Sequence, residues 1–219
     1  KVVISQPMLF PWIGLLEQIR LADIYVHYTD VQFSKGSFVN RVQIKTAAGP
    51  RWMTVPLADL HLGQRINQVR ASDKRAWREE HLALLTGAYR DAPYRDAMID
   101  LVRGVYARDY ADLGGLAAES LLALCGYYDL GRDCRFVDVA QLDISGSGSS
   151  RVLDIVRSLG GTVYVTGHGA ARYLDHAAFD RAGISVEYMD YAKAHYPQLH
   201  GEFTPFVSAL DLVANAGPR

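Results

Sequence analysis

Cysteine is nearly absent. Cys125 and Cys134 are the two in 219 residues, too few for a disulfide framework or a cysteine-rich metal centre. Cys125 lies in the apolar run LLALC and reads as a packing residue. Neither charge sign is in excess: 23 Lys and Arg face 24 Asp and Glu, a net charge of −1. A general nucleic-acid binder, whose phosphate contacts need a basic surface, is therefore not expected. No apolar run approaches the roughly 18 residues of a membrane-spanning helix, so no membrane partner is expected. Residues 1–12 lack the charged region, apolar stretch and cleavage site of a signal peptide. The expected location is cytoplasmic by elimination, and an opening on Lys1 rather than Met leaves room for an upstream segment.

Several motifs are missing too. None of the seven histidines makes H-x-x-x-H or H-E-x-x-H, and Pro197 interrupts His195-x-x-x-x-His200, so no metal site is expected. No glycine loop is followed by Gly-Lys-Ser/Thr, which excludes a P-loop, and no G-x-S-x-G elbow is present. The cofactor is left unassigned. No internal repeat appears.

What is present is alternation. Val2-Val3-Ile4 is an apolar run, residues 13–22 have helical spacing, and Ile24-Tyr25-Val26 is β-rich: the start of a βαβ unit. Residues 41–56 read as a hairpin, with Ala48-Gly49-Pro50 as its turn. A short strand is expected at Ile66–Val69. Three helices follow over residues 74–126, the first starting at Lys74 under an Asp73 cap. Strand and helix alternate again from Arg135. Phe136-Val137, residues 162–166 and residues 184–188 are strands; residues 151–159 and 170–182 are helical, the latter broken near Asp175. A last helix is expected from Pro205 to Asn215. The pattern predicts an α/β fold, a mostly parallel Rossmann-like sheet with a β-hairpin and a helical insertion at 74–126, as a single domain over 1–219.

In such sheets ligands bind beyond the carboxyl ends of the strands. That places Gln6 and Trp12 after the first strand, and His27, Asp30 and Gln32 after the second, where they would meet in one cleft or simply line a sheet edge. Asn40, Arg41 and Lys45 form a polar, cationic group suited to a carboxylate or phosphate, with Asp30 as candidate general base. His168, between two glycines after a strong strand, is a second acid–base candidate. Ile144–Ser150 is a small-residue loop feeding a helix. Ser149, Ser150 and Arg151 there form either an anion site or a plain cap. A cation in the first helical turn opposes the dipole. A bound anion would resolve that conflict, as would a protein carboxylate such as Asp154 or Asp211. Thirteen tyrosines, among them Tyr164, Tyr173, Tyr188, Tyr191 and Tyr196, could line a sugar-stacking cleft or serve as packing.

The opening stretch carries a resemblance. Gln6-Pro7, Pro11-Trp12-x-Gly14, Asp30-Val31-Gln32-Phe33 and Asn40-Arg41-x-x-Ile44-Lys45 resemble the successive segments that open the WbqC-like protein family. Val55-Pro56, Ser150-Arg151, Tyr196-Pro197-Gln198 and the closing SALDLVANAGP continue the likeness in order. It adds Gln198 to the candidate substrate-binding residues. It implies a biosynthetic enzyme of polysaccharide or natural-product pathways, transferring an acyl or aminoacyl group to an amino sugar or related amine. The expected partner is a small-molecule substrate, such as a nucleotide sugar or an activated acyl donor. A nucleotidylyltransferase-like enzyme with altered chemistry, its H-x-G-H histidines replaced in the Pro11–Leu15 loop, and a non-catalytic ligand-binding protein are the alternatives.

Overall fold

The computed structural model describes residues 1–218. In chain order the elements are β1 (Val2–Ser5), α1 (Ile13–Leu21), β2 (Ile24–His27), β3 (Arg41–Thr46), β4 (Gly49–Thr54), β5 (Leu57–Ala58), β6 (Arg70–Ala71), α2 (Trp77–Ala88), α3 (Arg95–Tyr106) and α4 (Leu113–Tyr128). They continue with β7 (Arg135–Asp138), α5 (Gly148–Ser158), β8 (Val163–Thr166), α6 (His176–Arg181), β9 (Ser185–Tyr188) and α7 (Leu210–Ala216). The chain folds as two compact units. The first takes Lys1–Gln6, Gly14–Asp30 and Leu130–Ala192; the second takes Pro7–Ile13, Val31–Asp129 and the chain from Lys193 on.

The first unit holds a five-stranded sheet of order β7-β2-β1-β8-β9, every pair parallel. Numbered within the sheet, that order is 3-2-1-4-5, the doubly wound arrangement, and it reverses between β1 and β8. The apolar run Val2-Val3-Ile4 is the central strand and is buried on both faces, as parallel strands under helices are. Val2, Ile4, Val26 and Tyr164 share a core with Val152, Ile155 and Val156 of α5 and Phe179 of α6. After α5, Gly160 takes φ +70° and Gly161 runs against Val2. A Cβ at 161 would lie 2.5 Å from Val2 Cγ2, so the helix stop there requires glycine.

The second unit pairs β3 with β4 in an antiparallel hairpin and β5 with β6 in a smaller one, beside α2, α3, α4 and α7. The first hairpin turns at Ala47-Ala48, at the leading edge of the expected Ala48-Gly49-Pro50 turn. Gly49 and Pro50 already pair with Thr46 and Lys45, and Thr46 Oγ1 closes the turn by hydrogen bonds at Ala48 N and Gly49 O. Residues 66–68 are a 3₁₀ turn instead of a strand. Gln68 Oε1 reaches back to accept the Arg65 N–H, which curls the backbone. The helices read over 74–126 cover 77–128. Asp73 does not cap α2; it pairs with Arg78 at 3.1 Å, and the first helical residue is Trp77. Trp77 is buried edge-on against Tyr106, ring centroids 5.0 Å apart. Asp112 caps α4, accepting the Gly115 N–H at 2.9 Å. The last helix begins at Leu210, five residues later than expected. The backbone before it is taken by other partners: Ser208 N donates to Gln43 O and Ala209 N to Pro11 O, each at 2.8 Å.

Candidate functional site

In the first unit the carboxyl ends of the strands carry a dense polar set. Arg151, in the first turn of α5, is buried and reaches Asp30 just beyond β2. Nη1 donates to Oδ1 at 2.9 Å and Nη2 to Oδ2 at 2.5 Å. Nε donates to the Ile144 carbonyl at 2.9 Å, and the guanidinium carbon lies 5.1 Å from the Tyr28 ring centroid. The Asp30 hydrogen bonds raise the Arg151 pKa further above its ordinary value. Burial raises that of Tyr28. The carboxylate that answers the cation in the first turn of α5 is thus Asp30, not Asp154 or Asp211. Ser149 Oγ accepts the Asp175 N–H at 2.8 Å, and Ser150 Oγ donates to Ser147 O at 3.2 Å.

Beside this pair, β2 ends on His27. Its ring is buried, and Nδ1 has no hydrogen-bond partner. Loss of solvent pushes the imidazole pKa down, against a smaller opposing pull from Asp138. Asp138, opposite His27 in the register, accepts from Thr29 Oγ1 at 2.7 Å and from Ala140 N at 2.9 Å. At the ends of β8 and β9, exposed His168 stacks on Tyr188 with centroids 5.6 Å apart, and the Tyr188 hydroxyl is 2.6 Å from His176 Nε2. Gln6, also in this unit, is exposed at the end of β1. His176, Tyr188 and Asp138 were not singled out as a group by sequence reasoning. His176 and Tyr188 meet where α6 packs beside β9, and Asp138 meets His27 through strand register.

The remaining candidates, Trp12, Gln32, Asn40, Arg41, Lys45 and Gln198, belong to the second unit. Gln32 is exposed and bridges to Arg65. Lys45 is 4% exposed. Its ammonium donates to Gln198 Oε1 at 2.8 Å, Gly201 O at 3.3 Å and Glu202 O at 2.5 Å, which uses all three N–H groups. Gln198 Nε2 donates in turn to Asp211, which also accepts from Tyr89 and Tyr196. Burial raises the Asp211 pKa while these three donors and Lys45 pull the other way. Sequence reading named Asp211 only as a possible partner for Arg151 and did not name Tyr89, because the contacts that join them to Gln198 and Tyr196 come from distant parts of the chain.

The loop Pro7–Ile13 is held in the same unit by strain and its compensation. Phe10 has φ +38°, uncommon for an aromatic residue. Its N–H donates to Ser120 Oγ at 2.7 Å and its carbonyl accepts from Ser208 Oγ at 2.6 Å, all buried. Around this loop lies an apolar hollow of about 300 Å³, walled by Met8, Leu9, Pro11 and Trp12, by Phe38, Val42 and Gln43, and by Phe206 and Val207. Asn40 is buried with Nδ2 donating to Val55 O at 3.0 Å. Arg41 lies over Trp52, 4.1 Å from the ring centroid.

The segments that carry the resemblance therefore find one another: Asp30 with Ser150-Arg151, Asn40 with Val55, Lys45 with Gln198, Tyr196 with Asp211, Trp12 in a bridge to Ser208. The sequence model of the WbqC-like protein family matches residues 6–219. The chain belongs to that family. A protein of Mycobacterium tuberculosis (strain ATCC 25618 / H37Rv) named "Uncharacterized protein Rv1507c" is 31% identical to this WbqC-like chain over 220 residues, covering 99% of this chain and 94% of its own length. No solved structure matches. Among the described residues of this WbqC-like protein, no helix is long and apolar enough to cross a membrane, and no group of three or more His, Cys, Asp or Glu is placed to hold a metal ion.

Proposed function

We propose that this WbqC-like protein is a biosynthetic transferase that moves an acyl or aminoacyl group onto the amine of an amino sugar or a related amine. One observation carries the reading: the sheet reverses its order between β1 and β8, and titratable side chains gather at the carboxyl ends of its strands. Open sheets of this kind bind ligands at that reversal. Acyl transfer needs little more than position and a base. The amine nitrogen bonds to the donor carbonyl carbon, the bond to the leaving group breaks, and the amine proton passes through the base to the leaving group. His168 is assigned as that base, because it is exposed and held flat on Tyr188. Both oxygens of Asp30 are already engaged by Arg151, so Asp30 is assigned to positioning instead. The exposed start of α5 offers backbone N–H groups to the pyrophosphate of a nucleotide sugar or coenzyme.

The test is incubation with a panel of amino sugars and amines, together with acyl and aminoacyl thioesters, read by mass spectrometry. An acceptor gaining the acyl mass is the expected result. No product from any pair, with thermal stabilisation by ATP and Mg²⁺ alone, would overturn it in favour of a nucleotidyl-transfer relative.

A further inference from the structure

Three stretches of the second unit, far apart in sequence, are stitched together around the apolar hollow. Leu9 N donates to Phe38 O at 3.0 Å, Ser208 N to Gln43 O at 2.8 Å and Ala209 N to Pro11 O at 2.8 Å. The first stretch contains Phe10, whose φ of +38° is kept by buried bonds from its N–H to Ser120 Oγ and from Ser208 Oγ to its carbonyl. Strain of this kind persists where the surroundings over-determine the backbone, and ligand clamps are among the places where it gathers. The walls are set by bonded backbone before any guest arrives, so binding orders little.

Leu9, Val42 and Val207 are buried, whereas Phe38 and Phe206 are 47% and 57% exposed. The hollow therefore has a buried floor and a rim of aromatic rings that meets solvent. Both rings are held. Phe38 packs on Trp52, centroids 5.8 Å apart, and Lys193 Nζ sits 4.8 Å from the Phe206 centroid. Half-exposed aromatic rings over a buried apolar floor are what the mouth of a small-molecule site presents.

The lining decides what can enter. Eight of the nine residues are apolar, the ninth is Gln43, and no charged side chain among the described residues lines the space. A charged guest would give up water and find no counter-charge. An uncharged apolar guest gives up little and gains contact on every wall. An apolar cavity of about 150 Å³ holds one benzene ring, and this one measures about 300 Å³.

We propose that the hollow binds an uncharged, apolar molecule about the size of two fused rings, seated on Leu9, Val42 and Val207 with Phe38 and Phe206 at its mouth. The proposal goes beyond the acyl-transfer reading and is independent of it.

Indole is the probe, with indole-3-carboxylate as its charged counterpart. Isothermal titration of the full chain should give saturable indole binding with a Kd of about 1 mM or tighter. The carboxylate should bind more weakly by about tenfold or more. Carbon-13 labelling of the methionine methyls locates the guest. Indole should shift the resonance of Met8, which lines the hollow, and leave that of Met189 in the first unit in place. Val207→Phe, which fills the floor, should weaken indole by about tenfold or more. No saturable indole binding up to about 10 mM, equal affinity for the two probes, or a shift at Met189 without one at Met8 would each overturn the proposal. All three are read on the wild-type chain, whatever becomes of the variant. A dimer in sedimentation that Phe206→Ser dissolves, with no indole bound, would overturn it in favour of a second copy as the occupant.

Discussion

Arg151 and Asp30, 121 residues apart, meet as a two-pronged ion pair in which each terminal guanidinium nitrogen takes its own carboxylate oxygen. The pair is largely out of solvent, with side chains 7% and 15% exposed. It ties the start of α5 to the segment leaving β2. It also resolves the conflict between a cation and the positive end of a helix dipole without any ligand.

Arg151→Ala should therefore unfold at lower denaturant concentration with no ligand present. Leaving one partner of a buried pair unmatched typically costs about 3–5 kcal/mol. The double variant Arg151→Ala, Asp30→Ala should recover part of that loss, because no unpaired charge remains. Urea melts of the wild type, both single variants and the double variant give the coupling directly. A single variant as stable as the wild type would show that the pair contributes nothing.

Stability should fall on mild acidification, and His81 is a principal cause. Its ring is buried between the Tyr106 hydroxyl and the Thr54 carbonyl, and desolvation pushes its pKa down to about 4 from 6.5. A lowered histidine pKa means the unfolded chain takes up the proton first. The stabilisation is complete above about pH 6.5 and is lost as pH falls toward 4, by about 3 kcal/mol in all. His27, lowered for the same reason, acts in the same direction. Denaturation at pH 7.5, 5.5 and 4.5 should show a slope that His81→Gln flattens; parallel curves for the two proteins would refute the assignment.

Lys45→Met should destabilise the second unit while leaving its charge-independent packing in place. The loss of the ammonium strands Gln198 Oε1 and two backbone carbonyls, and it removes the cation nearest the Asp211 network. A cost of about 2–4 kcal/mol follows from the unmet acceptors. Thermal melts decide it. A shift too small to measure would mean that water replaces the ammonium freely.

His168→Gln should act on rate and not on folding. The residue is exposed and its ring contact is a single stack on Tyr188. Loss of a positioned base lowers transfer by about 10²-fold or more, and the melting temperature should not move. Unchanged turnover would return the base role to another group, with His176 beside the same phenol the next to test.

The sequence by itself determined the parts that depend on neighbours along the chain. A continuous Val2-Val3-Ile4 run is buried on both faces whatever surrounds it, and Gly160-Gly161 stops a helix through backbone freedom and lack of a side chain. The break at Asp175 was legible for the same reason, since its side chain caps α6 by accepting the Ala178 N–H. Family membership was legible too, being a matter of residue order. Tertiary structure decided what depends on partners far away. Residues 205–209 carry helical spacing, yet the N–H groups of Ser208 and Ala209 go to Gln43 and Pro11, so the helix starts late. Ile66–Val69 alternates like a strand, yet a side chain three residues along curls it. Asp30 read as a free acid and Lys45 as a free cation because composition reports charge and not its neutralisation. Only the fold brings Arg151 to the first and Gln198 to the second. Charge pairing acts over a few ångströms in space, and separation along the chain carries no record of it.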